Sequence, residues 1–431
     1  MNSLFLNISL NYFTQYTPYL STEPLLNYLH MKFDSTHAFV QSVSMKRKKR
    51  PDPLSKKGIQ KISGSPFTVG NLVTLVWKDR ESFQGIFDAV RKAKHTIFLQ
   101  FYIFRDDETG RELAEILKMK AREKVAVFII YDHFGSFLTP RLFWQELKDC
   151  GVQIAASRPF KWTAPFHYVH RDHRKLIIID GIKAFTGGIN IANEYRGYHR
   201  VKTARAWRDT GIFLEGPIVT RLSEEFRKSW EIWNSTLLPP IREAEPLTPG
   251  IPVLPIFASS AQRRRRMRRL LYYSINNAQK SIYLTTAYFI PSMRLLYILE
   301  RAAANNVDVK LLLPGISDVP SVYFAGRAFY SRLLKAGVEI YNYNGVILHA
   351  KSAVFDSTWT IIGSANLDFQ SLRRNDEGNV GIMDRGFGSQ MSEVFFDDLA
   401  RAEKITLDQW LKRPFHEKAR EFFFALFRTR L

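Results

Sequence analysis

The chain carries two copies of one pattern, and that duplication limits its fold more than any other feature. From Asp79, "DRESFQGIFDAVRKAKHTIFLQFYIFRD" sets Phe83, Ile86, Phe87 and Val90 at helical spacing ahead of a β-rich run from Thr96 to Phe104. From Ala261, "AQRRRRMRRLLYYSINNAQKSIYLTTAYFIP" repeats the order, with Met267, Leu271, Ile275 and Ala278 on one helix face and a strand over Ser281 to Ile290. Each half continues with a helix ("RELAEILKMKARE"; "MRLLYILERAAAN"), a strand ("VAVFIIYD"; "VDVKLLLPG"), a further helix and a short strand. Alternation of this kind predicts parallel sheets with helices on their faces. Internal repeats of this length predict two homologous α/β/α halves packed about a pseudo-twofold axis, with equivalent segments facing each other at the interface.

The halves are expected over residues 70–238 and 256–410. Between them, residues 239–255 hold Pro239, Pro240, Pro246, Pro249, Pro252 and Pro255. Proline at that density argues against both helix and central strand, so this stretch is expected to be a linker. Residues 1–69 form an N-terminal extension and basic linker, and residues 411–431 a basic amphipathic C-terminal helix.

A short motif recurs after the fourth strand of each half: "HRKLIIID", His173 to Asp180, and "HAKSAVFD", His349 to Asp356. Residues i and i+2 of a strand share a face, so His173 points with Lys175 and His349 with Lys351. Brought together across an axis, two imidazoles and two ammonium groups suit a phosphodiester. One histidine attacks phosphorus, the other protonates the leaving oxygen, and the lysines hold the non-bridging oxygens, with no metal or other cofactor required. Asp180 and Asp356 have the opposite parity and precede or enter turns, so they read as structural, in turns or paired with lysine. The small-residue segments that follow, "AFTGGINIANEY" and "TIIGSANLDFQS", align Gly187, Gly188 and Asn190 with Gly363, Ser364 and Asn366. Gly188, Asn190, Ser364 and Asn366 are candidate phosphate contacts, because glycine admits close approach and the asparagine amide donates.

These residues resemble the paired H-x-K-x4-D motifs of the phospholipase D superfamily, over nearly all of Gly70 to Asp384. More narrowly, "QFYIFRDDETG", "RDHRKLIIIDGIKAFTGGINIANEY", "WRDTGIFLEGP" and "LHAKSAVFDSTWTIIGSANLDFQSLRRNDEGNVGI" resemble bacterial cardiolipin synthases. The resemblance implies a ping-pong transfer of a phosphatidyl group from phosphatidylglycerol, first to a histidine and then to an alcohol of a second phospholipid. It implies His173 as nucleophile, His349 as general acid and base, and a downstream carboxylate orienting each histidine, at positions matched by Asp209 and Glu377. Without the resemblance, the favoured readings of those two acids are a surface ion pair and a solvated loop residue.

Lysine and arginine number 62 against 41 acids, a formal charge of +21. Such a balance points to polyanions, either an acidic membrane or nucleic acid. The absence of a recognisable nucleic-acid-binding motif favours the membrane, so nucleic acid is not the expected partner. No apolar run reaches the roughly 18–20 residues that cross a bilayer. The expectation is a peripheral enzyme on the bacterial inner membrane, at its cytoplasmic face. The N-terminal twenty residues lack a basic region and read as an ordered extension, a surface-seeking segment or translation from an upstream start, with Met45 as the alternative beginning.

The remaining features each have a plainer explanation. The sole cysteine, Cys150, excludes an intrachain disulfide and is expected in the core. His167, His170 and His173 fall three apart, which alternates faces on a strand and does not predict a metal site. Six arginines between Arg263 and Arg269 form a solvated helix face or an attractor for anionic headgroups. In the C-terminal helix, Phe415, Ala419, Phe422 and Leu426 share a face that packs on the core or lies in a lipid interface. Rival activities are a hydrolytic phospholipase D, a nucleic-acid phosphodiesterase and, least expected with both motifs intact, a non-catalytic scaffold.

Overall fold

The computed structural model describes residues 53–430, apart from 78, 161, 164–168 and 198–205. The readings made for residues 1–52 and for His167 lie outside the described residues.

The first half runs α1 (Lys56–Ser63), β1 (Thr68–Val76), α2 (Asp79–Arg91), β2 (Thr96–Phe101), α3 (Glu108–Arg122), β3 (Ala126–Asp132), α4 (Arg141–Asp149) and β4 (Gln153–Ser157). It continues with β5 (Leu176–Ile179), β6 (Lys183–Gly187), α5 (Asn193–Arg196), β7 (Gly211–Glu215) and α6 (Pro217–Trp233). The second half opens with β8 (Ile251–Ala258), α7 (Ala261–Asn277), β9 (Ser281–Thr285), α8 (Met293–Ala304), β10 (Asp308–Pro314), α9 (Pro320–Arg327), α10 (Tyr330–Lys335) and β11 (Glu339–Tyr343). It closes with β12 (Ser352–Phe355), β13 (Trp359–Gly363), α11 (Phe369–Arg373), β14 (Glu377–Met383), α12 (Arg385–Leu399), β15 (Ala402–Ile405), α13 (Leu407–Leu411) and α14 (Phe415–Leu426).

The strand order shows the duplication directly. One half reads β4-β3-β2-β5-β6-β7 and the other β11-β10-β9-β12-β13-β14. In both, the first three strands are parallel, as the helical crossovers require. The motif strand and its successor form an antiparallel hairpin against them, so each sheet is mixed rather than wholly parallel. One apolar cluster, with Phe98, Ile178, Leu214 and Phe226 from the first half and Val354, Val380 and Phe395 from the second, belongs to both halves. Separate clusters lie beneath the outer helices of each half. The chain before residue 70 joins this architecture: Ile59 of α1 is fully buried among second-half residues such as Leu254 and Leu270, and β1 pairs with β7.

The proline-rich stretch departs from expectation. Pro252 and Pro255 lie within β8, which sits between β14 and β1 in the sheet. The backbone carbonyls of Ile251 and Val253 accept from the Asn71 amide and Thr68 hydroxyl of β1, which fixes the odd-numbered residues as facing β1. Pro255 therefore turns its missing N–H toward β1 beyond the last paired residue, Thr68, and Pro252 turns toward β14 beyond the last pair, Val253 with Ile382. Neither proline interrupts a ladder, and so both are tolerated in a central strand. Cys150 is also not a core residue; it is half-buried at the C-terminus of α4.

Asp180 and Asp356 end the motif strands in the left-handed conformation, each with φ of 53°. The Asp180 carboxylate accepts from the backbone N–H groups of Lys94, His95 and Thr96 at 2.7–2.9 Å. Asp356 accepts in the same way from Gln279, Lys280 and Ser281 at 2.7–3.1 Å. Their role is thus to fix the loop entering β2 or β9 to the end of the motif hairpin; the lysine-pairing alternative and any place in the chemistry give way to backbone capping. Asp356→Ala should lower stability by roughly 1–3 kcal/mol, because three backbone donors, most of them only part-buried, lose a charged acceptor. Urea unfolding measures this. Turnover per folded molecule should stay within a few-fold of wild type, and selective loss of turnover would restore a chemical role.

Candidate active site

Just before β5, the backbone N–H of His173 donates to the carbonyl of Asp376 in the other half, at 2.9 Å. The twofold-related bond runs from His349 N–H to the carbonyl of Arg208, at 2.7 Å. These two short parallel bridges tie each motif to the segment preceding β14 or β7 of the opposite half. The next residue along each of those segments is an acid. Glu377 therefore reaches His173, with Oε2 at 3.1 Å from Nδ1, and Asp209 reaches His349, with Oδ2 at 2.6 Å from Nδ1. The pairing is crossed: each half supplies the carboxylate for the other half's histidine. All four side chains are buried.

Lys175 and Lys351 lie on the same side of the strand as their histidines and are buried almost completely. The Lys175 ammonium donates to the His173 carbonyl at 2.6 Å, and that of Lys351 donates to the His349 carbonyl. Lys351 Nζ also stands 2.6 Å from His349 Nδ1. With a hydrogen on Nδ1, that nitrogen donates to Asp209 and leaves Nε2 as the free lone pair. The same tautomer at His173 donates to Glu377, or to the Ser364 carbonyl at 3.0 Å.

Burial dominates the titration of the whole group. It depresses His173, helped by the positive charge of Lys175 and opposed by Glu377. It depresses His349 to about 4, with Lys351 adding to the effect and Asp209 opposing it. Both rings are therefore neutral at pH 7 in the empty site. Burial also lowers Lys175 to about 7, with the charge of Lys351 contributing, and Lys351 to about 8. Each motif's lysine acts on the histidine of the other motif, so the four basic groups share one electrostatic neighbourhood. A bound phosphodiester anion would favour the charged form of both lysines.

The small-residue segments are placed differently from the sequence expectation. Asn190 is fully buried; its Oδ1 accepts from Ile103 N–H at 3.1 Å and its Nδ2 donates to the Tyr195 hydroxyl at 2.7 Å. Its amide thus ties this segment to the residues after β2 and to Tyr195. Ser364 donates to Glu377 and accepts from Gly378 N–H at 3.0 Å, which makes it a brace for the carboxylate. At the equivalent position a Cβ on Gly188 would meet Asp209 Oδ1 at 2.1 Å, so glycine there makes room for the acid. Asn366 is buried, with Oδ1 3.4 Å from the Thr286 hydroxyl. His170 Nδ1 lies 2.9 Å from the Arg374 carbonyl, away from any shared ligand set with His173.

Sequence reasoning missed the aromatic residues. His349 is flanked by Tyr195, Trp207 and Tyr288, with ring centroids at 5.2, 5.6 and 6.4 Å, whereas His173 has Tyr102 at 4.9 Å. The Tyr195 hydroxyl is 3.5 Å from His349 Nε2. The pair "EY" after the asparagine was the available signal, but nothing in one sequence distinguishes it from a core aromatic. Also missed were the buried pair of Arg208 with Asp398, at 2.7 and 2.9 Å, and the contacts of Arg158 and Arg264 with Asp376, at 2.5 and 3.1 Å. Of these, Arg208 with Asp398 and Arg158 with Asp376 join the halves, while Arg264 approaches Asp376 from within the second half. The arginine-rich face of α7 is in part internal, since Arg263 pairs with Glu225, Arg264 with Asp376, and Arg268 donates to the Leu372 carbonyl.

A duplicated α/β fold with paired histidine–lysine motifs at the interface of its halves defines an enzyme of the phospholipase D superfamily. Residues 86–230 and 271–399 match the family described as "Cardiolipin synthase, PLD-like domain", and the chain belongs to that family. Cardiolipin synthase A of Pseudomonas syringae pv. syringae (strain B728a) is 36% identical over 357 residues, covering 82% of this chain and 74% of that one. Cardiolipin synthase 2 of Bacillus anthracis is 35% identical over 354 residues, covering 80% and 68%. Phosphatidylserine synthase of Haemophilus influenzae Rd KW20 shares the fold at 14% identity, with a TM-score of 0.69 over 87% of this chain and 99% of that one.

The depressed lysines make a measurable prediction. At pH 8 Lys175 is mostly neutral in the empty site, and a bound dianion raises its affinity for protons, so binding takes protons up. Calorimetric titration with tungstate at pH 8, in buffers of different ionisation enthalpy, should show uptake of about half a proton or more. Lys175→Met should reduce it. Tungstate binding without proton exchange at that pH would contradict the lysine assignment.

Proposed function

We propose that the protein is a phosphatidyltransferase that forms cardiolipin from phosphatidylglycerol and a second phospholipid, through a phosphatidyl-histidine intermediate. The observation that carries this reading is the crossed pairing of two neutral imidazoles with two carboxylates beside two buried lysines. The sequence relatives named cardiolipin synthases supply the substrate class. His173 Nε2 attacks phosphorus; the P–N bond forms as the P–O bond to glycerol breaks, and His349, charged once the anionic substrate is bound, gives its proton to the departing oxygen. In the second half-reaction neutral His349 takes the proton of the acceptor hydroxyl, its oxygen bonds phosphorus, and the P–N bond breaks. Asp209 and Glu377 hold the tautomers, and Lys175 and Lys351 stabilise the charge on the non-bridging oxygens. Asn366 is an asparagine beside this group and would contact the phosphate.

Water in place of the second lipid turns the same intermediate into phosphatidic acid, so hydrolysis differs from transfer only in the acceptor. Among the described residues no helix is long and apolar enough to cross a membrane. The protein would then work from the bilayer surface, on the cytoplasmic face of the bacterial inner membrane.

Purified protein incubated with mixed phosphatidylglycerol and phosphatidylethanolamine vesicles should yield cardiolipin plus released glycerol or ethanolamine by mass spectrometry. Phosphatidic acid alone would replace transfer with hydrolysis. His173→Ala should lower turnover by at least about 10³-fold with an unchanged thermal midpoint. Peptide mapping of a trapped adduct should place phosphorus on His173, and a modified His349 would reverse the two roles.

A further inference from the structure

Helix α14 sits on the fold the wrong way round. Its inward face is charged: Glu421, only 3% exposed, pairs with Arg327 at 2.9 Å and with Arg413, while Glu417 lies 3.2 Å from Arg327. One apolar side chain joins that buried face, Phe424, which stacks on Phe324 of α9 at 5.9 Å. The outward face holds Phe415, Ala419, Phe422 and Leu426, one helical stripe, with Phe423 and Phe427 beside it. Phe415 is 57% exposed and Leu426 62%. Burying the acids and exposing the phenylalanines inverts the usual arrangement of a surface helix.

The location of α14 adds to this. It packs on α9, which follows Asp318, and Asp318 accepts from the hydroxyl of Tyr288, the ring beside His349, at 2.8 Å. The equivalent segment of the first half, between β3 and α4, is likewise close to its histidine. Ser136 there bonds the Phe104 N–H and the Tyr102 carbonyl, and the Tyr102 ring is the one beside His173. That segment exposes Phe137 by 70% and Leu138 by 71%, with Leu142 next to them at the start of α4. Two apolar patches, one from each half, thus flank the end of the sheet that carries the histidines. Exposed cations lie in the same segments: Arg141 in one, and Lys412, Lys418, Arg420 and Arg430 in the other.

We propose that the outward face of α14 and the Phe137–Leu142 segment together form a membrane-docking surface, which seats this end of the protein on an anionic bilayer. An apolar stripe with cations beside it matches the acyl–headgroup boundary of an acidic leaflet. The inference rests on the reading that the substrates are phospholipids, and it assigns the residues by which the site meets them. Docking brings both histidines to the headgroup layer.

The test is flotation of the full-length protein with phosphatidylcholine vesicles with and without phosphatidylglycerol. Wild type should float with the phosphatidylglycerol vesicles and bind the neutral ones weakly. The double substitutions Phe423→Asp with Leu426→Asp, and Phe137→Asp with Leu138→Asp, should each reduce the floating fraction by at least about fivefold, with the thermal midpoint unchanged. Turnover of a monomeric short-chain phosphatidylglycerol should be unaffected. Undiminished flotation overturns the proposal. So does a wild-type dimer that the α14 substitutions dissociate while vesicle binding persists, since that makes a second copy the occupant. If wild type floats, the variants do not, and no lipid substrate turns over, the docking surface stands and the proposed reaction falls.

Discussion

Two imidazole–carboxylate contacts that cross the interface between the halves are the constraint on which the rest of the structure depends. Neither half completes a site alone: His173 needs Glu377 and His349 needs Asp209. The backbone bonds from His173 to Asp376 and from His349 to Arg208 place the acids one residue along, so strand position and side-chain pairing are a single feature. Burying this much charge is costly unless each group finds a partner, and the interface provides them through Arg208 with Asp398 and Arg158 with Asp376. Association of the halves and assembly of the site are therefore the same event.

The electrostatics explain why such an arrangement suits an anionic ester. Loss of hydration in a buried space is the main reason both lysines sit below their ordinary values, and the charge of Lys351 lowers Lys175 further. A phosphodiester relieves both penalties, and relieves them further as negative charge builds on phosphorus. Among the described residues His349 sits among three aromatic rings and His173 beside one, so the described surroundings of the two histidines differ although their motifs match.

Much of this was legible in the sequence, for identifiable reasons. The repeat, the strand parity that sets His173 with Lys175, and the structural reading of Asp180 all follow from local periodicity, which a single chain displays. The downstream acids came only through family resemblance, because nothing local distinguishes Asp209 from a surface acid. The crossing of the pairs is a tertiary fact with no local signature. The Asn190 amide bonds Tyr195 at 2.7 Å, a tertiary contact that the sequence pattern does not display. The prolines of β8 misled because their tolerance depends on where neighbouring ladders end. In α14 the stripe was visible, but which way it faced depended on Arg327, 90 residues upstream of its partner Glu417.

The crossed pairing is tested most directly by nitrogen-15 NMR of the histidine rings at pH 7. The account predicts two neutral rings with hydrogen on Nδ1, of which Glu377→Gln shifts only the His173 signals and Asp209→Asn only those of His349. Signals responding to the acid of their own half, or two rings with hydrogen on Nε2, would contradict it.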